Sequence, residues 1–457
     1  MKPLVVIDVV GLTPSLLGPN TPKLNELSST GWRAPLGTVL PAVTCSAQST
    51  YLTGLMPRDH GVVGNGWFHR DLSEVLFWRQ SNALVGGEKV WEAGRKRDKE
   101  FTCAQLFWWF NMYSSVDWSV TPRPVYHADG RKDPDIYADP PELRRDLNEQ
   151  LGPFPLFHFW GPKADLISTK WITDAALETI RTKKPTLTLV YLPHLDYDFQ
   201  RFGPSDPRCA QAVRDVDYEA GRVAMAAREI GAEVVVLSEY GITAVSKPVH
   251  LNRVLREAGF LRVQKVLDRW ELLDAGASRA FAVADHQVAH IYVKNAGDLP
   301  AVRAAVEHAP GVARVLDGAG KKEAGLDHPR SGELIALATP DAWFTYYYWL
   351  DDALAPDFAR TVDIHRKPGY DPVELFVDPT IPMPGLKAGG KLLKKALGFR
   401  YLMDLVGLDA SLVKGSHGLL TIPEDGPVFI STSKIGARDR VASTDVKSHL
   451  LDIAFRS

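Results

Sequence analysis

The chain is poor in cysteine, with three in 457 residues, at positions 45, 103 and 209. An odd and sparse set of cysteines does not form a disulfide framework, and it is typical of proteins in a reducing compartment. Because the sequence contains no Cys-x-x-Cys pair, a zinc site made of clustered thiolates is excluded. We therefore expect a cytoplasmic location.

The chain also lacks an excess of charge of either sign. Lys and Arg number 53 and Asp and Glu number 55, which leaves a net charge of −2. This balance excludes a protein that binds polyanions through bulk charge, so we expect no nucleic-acid polymer as a partner. Residues 383–400 are locally basic and predict a solvated helix, with contact to an anion or a membrane surface as the alternative. Composition leaves the oligomeric state open.

Long hydrophobic runs are missing as well, and we expect no transmembrane segment. The N-terminal run LVVIDVV, residues 4–10, is short and contains Asp8, so it predicts a β-strand. Two more apolar runs predict buried strands at 186–193 and 232–238, and the sequence between them has the apolar period of a helix. Strand, helix and strand in succession predict βαβ units and a parallel sheet.

The length and these patterns predict an α/β fold with a mostly parallel central sheet flanked by helices. Segment 66–160 contains seven of the 12 Trp residues, and it is either a packed cap over the sheet or a wall that shapes a substrate pocket. Residues 270–345 predict a small inserted α+β subdomain. The α/β core would then comprise residues 1–65, 161–269 and 346–457.

Thr44 lies in the segment LPAVTCSAQSTYLTG, which follows a predicted strand and enters a helix near Thr44. At a helix N-terminus the backbone N–H groups and the helix dipole stabilise an anion. A hydroxyl in this position can act as a nucleophile if a metal ion lowers its pKa, and the simpler alternative is an N-cap. Cys45 and Ser46 could take the same part.

Acidic side chains follow the two later predicted strands. Asp196 comes after the first of them, and Glu239 comes after the second, next to Tyr240. Because sites in open α/β sheets lie beyond the carboxyl ends of the strands, Asp196 and Glu239 are candidate metal ligands, together with His417. Further candidates of the same kind are His194, Asp198, Asp285, His286 and His290.

Four motifs occur in one order: TCSAQSTYLTGLMPRDHGVVGN, LDYDFQRFGP, VVVLSEYG and SHG. The set resembles the alkaline phosphatase superfamily, and the nearest branch is the nucleotide pyrophosphatase/phosphodiesterase group. The resemblance covers most of the chain. It implies that Thr44, which precedes a Thr-Gly pair by the family's interval, is the nucleophile. It also implies that Asn65, which follows a His-Gly pair, binds a phosphoryl oxygen.

The resemblance implies a centre of two zinc ions, with Asp196 and His417 at ligand positions. Gln200 stands where the family has a ligand His. Glu239 and Tyr240 stand where the family has an Asp-His pair. The chain therefore has fewer nitrogen donors than the family pattern.

The N-terminal acid of the family has its nearest counterpart in Asp8, two residues earlier in the strand and on the same side of it. Tyr240 replaces a nitrogen donor by a phenol, and Gln200 replaces one by an amide oxygen, which suits harder ions. We expect a divalent metal ion, zinc by the family resemblance, with Mg²⁺, Mn²⁺ or Ca²⁺ favoured by these two replacements. One occupied site becomes plausible instead of two.

These expectations together predict a metal-dependent phosphoester hydrolase that acts on a small molecule. A phosphodiesterase or nucleotide pyrophosphatase is favoured, with a phospho-threonine intermediate on Thr44. Two alternatives stay open. One is an enzyme of the same fold whose altered metal centre catalyses another phosphoryl or related transfer, and the other is a non-catalytic homologue that binds a phosphate ligand.

Overall fold

A computed structural model describes residues 1–128 and 132–456 of the chain. Its β-strands are β1 Leu4–Val9, β2 Trp32–Pro35, β3 Gly66–His69, β4 Glu74–Phe77, β5 Cys103–Leu106, β6 Trp118–Pro122, β7 Val125–Tyr126, β8 Lys132–Asp133, β9 Ile136–Asp139, β10 Leu187–Leu192, β11 Glu233–Leu237, β12 Thr243–Ala244, β13 Lys247–Val249, β14 Val263–Val266, β15 Trp270–Leu273, β16 Ala280–Asp285, β17 Val288–Val293, β18 Val312–Leu316, β19 Leu334–Ala338, β20 Ala342–Phe344, β21 Gly415–Ser416 and β22 Val428–Ser431.

The α-helices are α1 Pro22–Thr30, α2 Thr44–Thr53, α3 Pro57–His60, α4 Val90–Arg97, α5 Pro141–Leu151, α6 Leu166–Lys183, α7 His194–Phe202, α8 Cys209–Glu229, α9 Leu251–Glu257, α10 Leu299–Glu307, α11 Gly318–Glu323, α12 Pro384–Ala396 and α13 Val446–Arg456. Among the described residues, no helix is both long enough and apolar enough to cross a membrane.

The central sheet has eight strands within the described residues, in the order β2, β22, β11, β1, β10, β5, β6, β9. Strand β1 lies near the middle and pairs in parallel with β10 and with β11, while β5 and β6 continue the parallel part. Antiparallel pairs join β22 to its two neighbours and β9 to β6. All six side chains of β1 are buried, which is why its run is continuously apolar except for Asp8.

Helices cover this sheet. Helices α6 and α8 pack against each other and contact β10 and β1, respectively. Helix α13 packs on α2 and also contacts β1. The predicted α/β fold, with a mostly parallel sheet flanked by helices, is confirmed, and so is the helix that begins near Thr44.

The structure corrects the bounds of the expected Trp-rich cap. Three strands of segment 66–160, which are β5, β6 and β9, pair in the central sheet. Trp91 and Trp108 are fully buried in the same core as β1. These strands have four or five residues each, too short for their period to be distinguished in the sequence.

A second sheet is antiparallel, in the order β16, β17, β19, β18. Helices α9 and α10 pack together beside it. Its core also includes Leu251 and the aromatic run around Tyr348, both outside residues 270–345. This α+β unit therefore extends on both sides of the expected bounds, because the aromatic side chains pack on it rather than on the central sheet.

Candidate active site

The candidate site lies where β1, β10 and β11 end, because parallel strands present their carboxyl ends at one edge of a sheet. Thr44 is the first residue of α2, and its side chain is 3% exposed. Oγ1 of Thr44 lies 3.2 Å from the hydroxyl of Tyr240, which follows β11. The threonine and the tyrosine are thus brought together from positions 196 residues apart.

Asp8 and Glu239 form a buried carboxyl pair beside Thr44. Nε2 of Gln48 donates to Oδ2 of Asp8 at 3.2 Å and to Oε1 of Glu239 at 2.7 Å. Burial raises the pKa of Asp8 to about 7, and burial together with the charge of Asp8 raises the pKa of Glu239 well above its ordinary value. Oδ1 of Asp8 and Oε2 of Glu239 have no hydrogen-bond donor in the described part of the chain.

Asp196 lies in the first turn of α7, which starts directly after β10. Its Oδ2 accepts from Nε2 of Gln200 at 2.7 Å, and its Oδ1 accepts from the hydroxyl of Tyr240 at 3.4 Å. Oε1 of Gln200 accepts in turn from the hydroxyl of Tyr370 at 3.0 Å. Burial, and then the nearby charge of Glu239, raise the pKa of Asp196 to about 7.

His417 reaches the site from the loop after β21. Its Nδ1 lies 2.8 Å from the carbonyl oxygen of Ala42, which can only accept, so Nδ1 carries the proton. Nε2 lies 3.9 Å from Oδ1 of Asp196, and the ring stacks on Tyr240 with centroids 3.5 Å apart. Burial lowers the pKa of His417 to about 3, so its imidazole is neutral near neutral pH.

Asn65 bridges α2 and β16. Its Oδ1 accepts from the backbone N–H of Cys45 at 3.0 Å. Its Nδ2 donates to Oδ1 of Asp285 at 3.1 Å, and its backbone N–H donates to Oδ2 of the same residue at 2.7 Å. A primary amide has two N–H bonds, so one of them stays available to a ligand beside Thr44.

The structure brings Thr44, Asn65, Asp8, Asp196, Gln200, Glu239, Tyr240 and His417 into one connected cluster. Of the further candidates, Asp198 pairs with Arg201 at 3.1 Å, and His194 lies 3.8 Å from Asp215. His290 donates to the carbonyl of Val63. None of these three contacts the cluster.

Gln48, Asp285, His286 and Tyr370 join the cluster. Asp285 and His286 were among the further candidates from the sequence, whereas Gln48 and Tyr370 were not expected. His286 lies against His417 and Tyr370, with ring centroids 3.6 and 3.7 Å apart. Gln48 follows Thr44 by four residues, which places both on one helix face. That spacing could have identified Gln48 as a site residue from the sequence. No local pattern marks Tyr370.

The two-zinc centre that the resemblance implies needs two sets of metal ligands. Within residues 1–128 and 132–456, no group of three or more His, Cys, Asp or Glu side chains has the arrangement of a metal site. Zinc prefers imidazole and thiolate donors. The imidazole of His417 lies 3.9 Å from Asp196, while the second imidazole of the cluster, that of His286, lies against the rings of His417 and Tyr370. The residues therefore do not fit two zinc ions. The open oxygens of Asp8 and Glu239 are of the type that hard cations such as Mg²⁺, Mn²⁺ or Ca²⁺ prefer as ligands.

The fold and the site define an α/β protein with acidic side chains gathered around a threonine at a helix N-terminus. The family model for type I phosphodiesterase / nucleotide pyrophosphatase matches residues 4–371, so the chain belongs to that family. It is accordingly placed among the hydrolases of phosphoester bonds.

Solved structures show the same fold. A phosphonoacetate hydrolase from Sinorhizobium meliloti 1021, in complex with phosphonoformate, is 13% identical with a TM-score of 0.63, over 99% of this chain and 96% of the other. An inactive variant of murine ectonucleotide pyrophosphatase/phosphodiesterase 5, in complex with AMP, is 14% identical with a TM-score of 0.59, over 99% and 95%. The human protein of that name is 15% identical with a TM-score of 0.58, over 99% and 95%. Curated protein sequences give no significant match.

Proposed function

We propose that the chain hydrolyses a phosphodiester of a small molecule, with Thr44 as the nucleophile and a phospho-threonine as the intermediate. The observation that carries the proposal is the position of Oγ1 of Thr44. It lies at the N-terminus of α2 and 3.2 Å from the hydroxyl of Tyr240, which in turn contacts Asp196. A hydroxyl at this position is favoured as an anion by the helix dipole.

The attack can be described in two balanced steps. In the first, Oγ1 of Thr44 forms a bond to phosphorus while the bond from phosphorus to the leaving oxygen breaks. In the second, water attacks phosphorus, the bond to Oγ1 breaks, and the threonine hydroxyl is restored. The free N–H of Asn65 donates to a non-bridging oxygen in both steps, where charge develops.

Glu239 is placed to hold the proton of Thr44. It directly precedes Tyr240, whose hydroxyl lies 3.2 Å from Oγ1 of Thr44, and burial raises the pKa of Glu239 well above the ordinary value, which makes its ionised form a stronger base. A hard divalent cation bound by Asp8 and Glu239 would stabilise negative charge on Oγ1 and on the phosphate oxygens. The cation and the cytoplasmic location remain predictions.

The experiment compares three substrates: bis(4-nitrophenyl) phosphate, 4-nitrophenyl phosphate and phosphonoacetate. We expect the wild type to turn over bis(4-nitrophenyl) phosphate. Thr44→Ala should abolish this turnover, and Thr44→Ser should retain part of it. Acid quenching during turnover should leave a phosphate on the peptide that contains Thr44, detectable by mass spectrometry. Undiminished turnover by Thr44→Ala would remove this residue from the mechanism.

A second candidate function follows from the burial of the site. Thr44 is 3% exposed and His417 is 2% exposed, and the rings of Tyr240, His417, His286 and Tyr370 are stacked in a row beside them. Such a closed site suits a homologue that binds a phosphate ligand without turning it over. Calorimetry with AMP, in the absence of turnover of all three substrates, would favour this second function.

A further inference from the structure

We propose that the Asp196 side of the centre holds no metal ion, because hydrogen bonds from Gln200 and Tyr240 occupy its carboxylate in place of a cation. The proposal concerns metal stoichiometry and does not depend on which reaction the chain catalyses. It leaves the carboxyl pair of Asp8 and Glu239 as the single cation site of the cluster.

The orientation of the Gln200 amide supports this proposal. The Asp196 carboxylate accepts hydrogen bonds, so the Gln200 atom 2.7 Å from its Oδ2 is the NH₂ nitrogen. The amide oxygen then faces the hydroxyl of Tyr370 at 3.0 Å, where it has a donor. Gln200 thus directs the positive end of its dipole toward the place where a cation would lie, and its own oxygen is already occupied.

Tyr240 supports the same conclusion. Its ring is held parallel to His417, at an interplanar angle of 7°, and its hydroxyl lies between Thr44 and Asp196. A phenol binds metal strongly only when it is ionised. Here the hydroxyl is already engaged, since it donates to Oδ1 of Asp196 and lies 3.2 Å from Oγ1 of Thr44.

Two donor atoms lie near each other on this side of the centre, which are Nε2 of His417 and Oδ1 of Asp196. Oδ1 is shared with the hydroxyl of Tyr240. Structural and catalytic zinc sites use at least three protein ligands. Hydrogen bonds link Tyr370 to Gln200 and Gln200 to Asp196. We therefore assign these residues a positioning role, which is to fix the direction of the Tyr240 hydroxyl next to Thr44.

The test measures metal content by plasma mass spectrometry and Zn²⁺ binding by calorimetry, on purified full-length protein. The wild type should bind at most one metal ion per chain. Asp196→Asn should leave that number unchanged, since this carboxylate binds no metal. A wild-type content of two, or the loss of one equivalent in Asp196→Asn, would overturn the proposal.

A second variant tests the replacement directly. Gln200→His with Tyr240→His supplies two nitrogen donors next to Asp196 and His417, and this double variant should bind one more zinc equivalent than the wild type. Adding Asp196→Asn to it should remove that equivalent again. Circular dichroism checks that the variants are folded, and a folded double variant with no additional zinc would contradict the proposal.

Helix α12 carries an independent second inference, because its apolar side chains face the solvent. Residues 383, 386, 393 and 397 repeat at intervals of three, seven and four, which places them on one stripe of the helix. Among the exposed side chains of this segment are Met383 at 67%, Leu386 at 70%, Leu393 at 60%, Leu397 at 64% and Phe399 at 65%. No residue of α12 is buried.

The lysines of α12 fix its orientation. Lys387 and Lys391 pair with Asp404 at 3.0 and 2.9 Å, and Lys395 lies 3.8 Å from Asp133. These contacts tie the polar flank of the helix to the protein and leave the apolar stripe outward. The basic side chains of Lys394 and Arg400 are exposed beside the stripe.

We infer that this stripe docks on a lipid bilayer with anionic headgroups. An apolar stripe flanked by lysine and arginine suits the boundary between acyl chains and negative headgroups, because the leucines lose contact with water while the cations meet the headgroups. A second copy of the chain offers no such charge match, since the same flank would bring lysines together. The contact lies on the surface of the bilayer, in agreement with the absence of a spanning helix among the described residues.

Sedimentation with vesicles tests the inference. The protein should bind vesicles that contain phosphatidylglycerol and should bind pure phosphatidylcholine vesicles at least tenfold more weakly. Leu386→Ser with Leu393→Ser and Leu397→Ser should abolish binding, and Leu72→Ser, at a residue 56% exposed elsewhere, is the matched control. Equal binding to both vesicles, no binding, or a dimer in sedimentation velocity that needs the same leucines would overturn it.

Discussion

The hydroxyl of Tyr240 lies 3.2 Å from Oγ1 of Thr44 and also contacts Asp196. One phenol thus links the proposed nucleophile to a carboxylate that follows strand β10. The carboxylate of Asp196 can only accept, which directs the tyrosine proton toward it. The oxygen of Tyr240 is then free to accept from the hydroxyl of Thr44 in the resting site, and in the proposed reaction the proton passes to Glu239 only when Oγ1 attacks phosphorus. This relationship holds Thr44 in one orientation before any substrate arrives.

Tyr240→Phe should reduce kcat/KM for the phosphodiester by roughly 10²-fold, the usual cost of removing one polar group that stabilises a transition state. The ring keeps its stack on His417, so the melting temperature should change little. Steady-state kinetics and thermal unfolding measure both effects.

Tyr347→Phe is the matched control, since Tyr347 is buried and its hydroxyl has no hydrogen-bond partner in the described part of the chain. It should leave kcat/KM within about twofold of the wild type. Equal rates for Tyr240→Phe and the wild type would mean that the phenol does not assist Thr44.

Asp285 should make the protein less stable as the pH rises from about 4 to about 7. Burial raises the pKa of Asp285 from an ordinary 3.8 to about 7, although the two hydrogen bonds from Asn65 act in the opposite direction and lower it. The folded state then binds more protons than the unfolded state within this window, so the free energy of unfolding falls with pH by up to about 1.4 kcal/mol per pH unit. Above about pH 7 its contribution becomes constant.

Urea unfolding at several pH values measures this effect. Asp285→Asn cannot ionise, so its free energy of unfolding should fall less steeply than that of the wild type between pH 4 and 7. Asp71→Asn, at an exposed position, should keep the wild-type slope. Parallel curves for Asp285→Asn and the wild type would contradict the prediction.

The central strands could be predicted from the sequence because their apolar runs are long and continuous. Strands β1, β10 and β11 each have five or six residues that are nearly all buried, and the pattern of α8 is a regular helical period. Strand β5 has four residues with the polar Gln105 among them, so no run marks it as part of the same sheet. Short strands gain their stability from neighbours rather than from their own sequence.

The cluster around Thr44 could be predicted where a residue follows a recognisable strand or motif, as Asp196 and Glu239 do. The roles of Gln200 and Tyr370 could not, because they depend on a hydrogen bond between residues 170 positions apart. The contact of Asp285 with Asn65 could not be predicted for the same reason, since the two residues are 220 positions apart and Asp285 lies in the second sheet. Chain topology decides such contacts, and no local pattern encodes them.

Gly241→Ala should destabilise the protein and displace Tyr240. A Cβ on Gly241 would lie 1.7 Å from the carbonyl oxygen of Asp425, so one of the two backbone segments must move. Overpacking of this kind costs roughly 1–3 kcal/mol, and here the obstacle is backbone rather than a flexible side chain. Gly297→Ala, whose Cβ would meet nothing within 4 Å, is the control in chemical unfolding. Equal stability of the two variants would show that the backbone at Asp425 can move without a measurable cost in the free energy of unfolding.

Lys367→Met should be strongly destabilising near neutral pH. Nζ of Lys367 lies 2.7 Å from Oδ2 of Asp371 and 2.7 Å from Oε1 of Glu374, and all three side chains are at most 2% exposed. Removing the cation leaves two buried carboxylates facing each other, which costs about 3–5 kcal/mol for a broken buried pair.

The loss should shrink as the pH is lowered, because burial raises the pKa of Glu374 and this carboxyl can then take up a proton in the folded state. Lys96→Met removes an ion pair to Glu88 whose lysine is 77% exposed, and solvent screening keeps its loss of stability small. Urea unfolding at pH 4 and pH 7 distinguishes the two variants. If Lys367→Met lost no more stability than Lys96→Met at pH 7, the buried cation would not be needed to offset the charge of its two carboxyl partners.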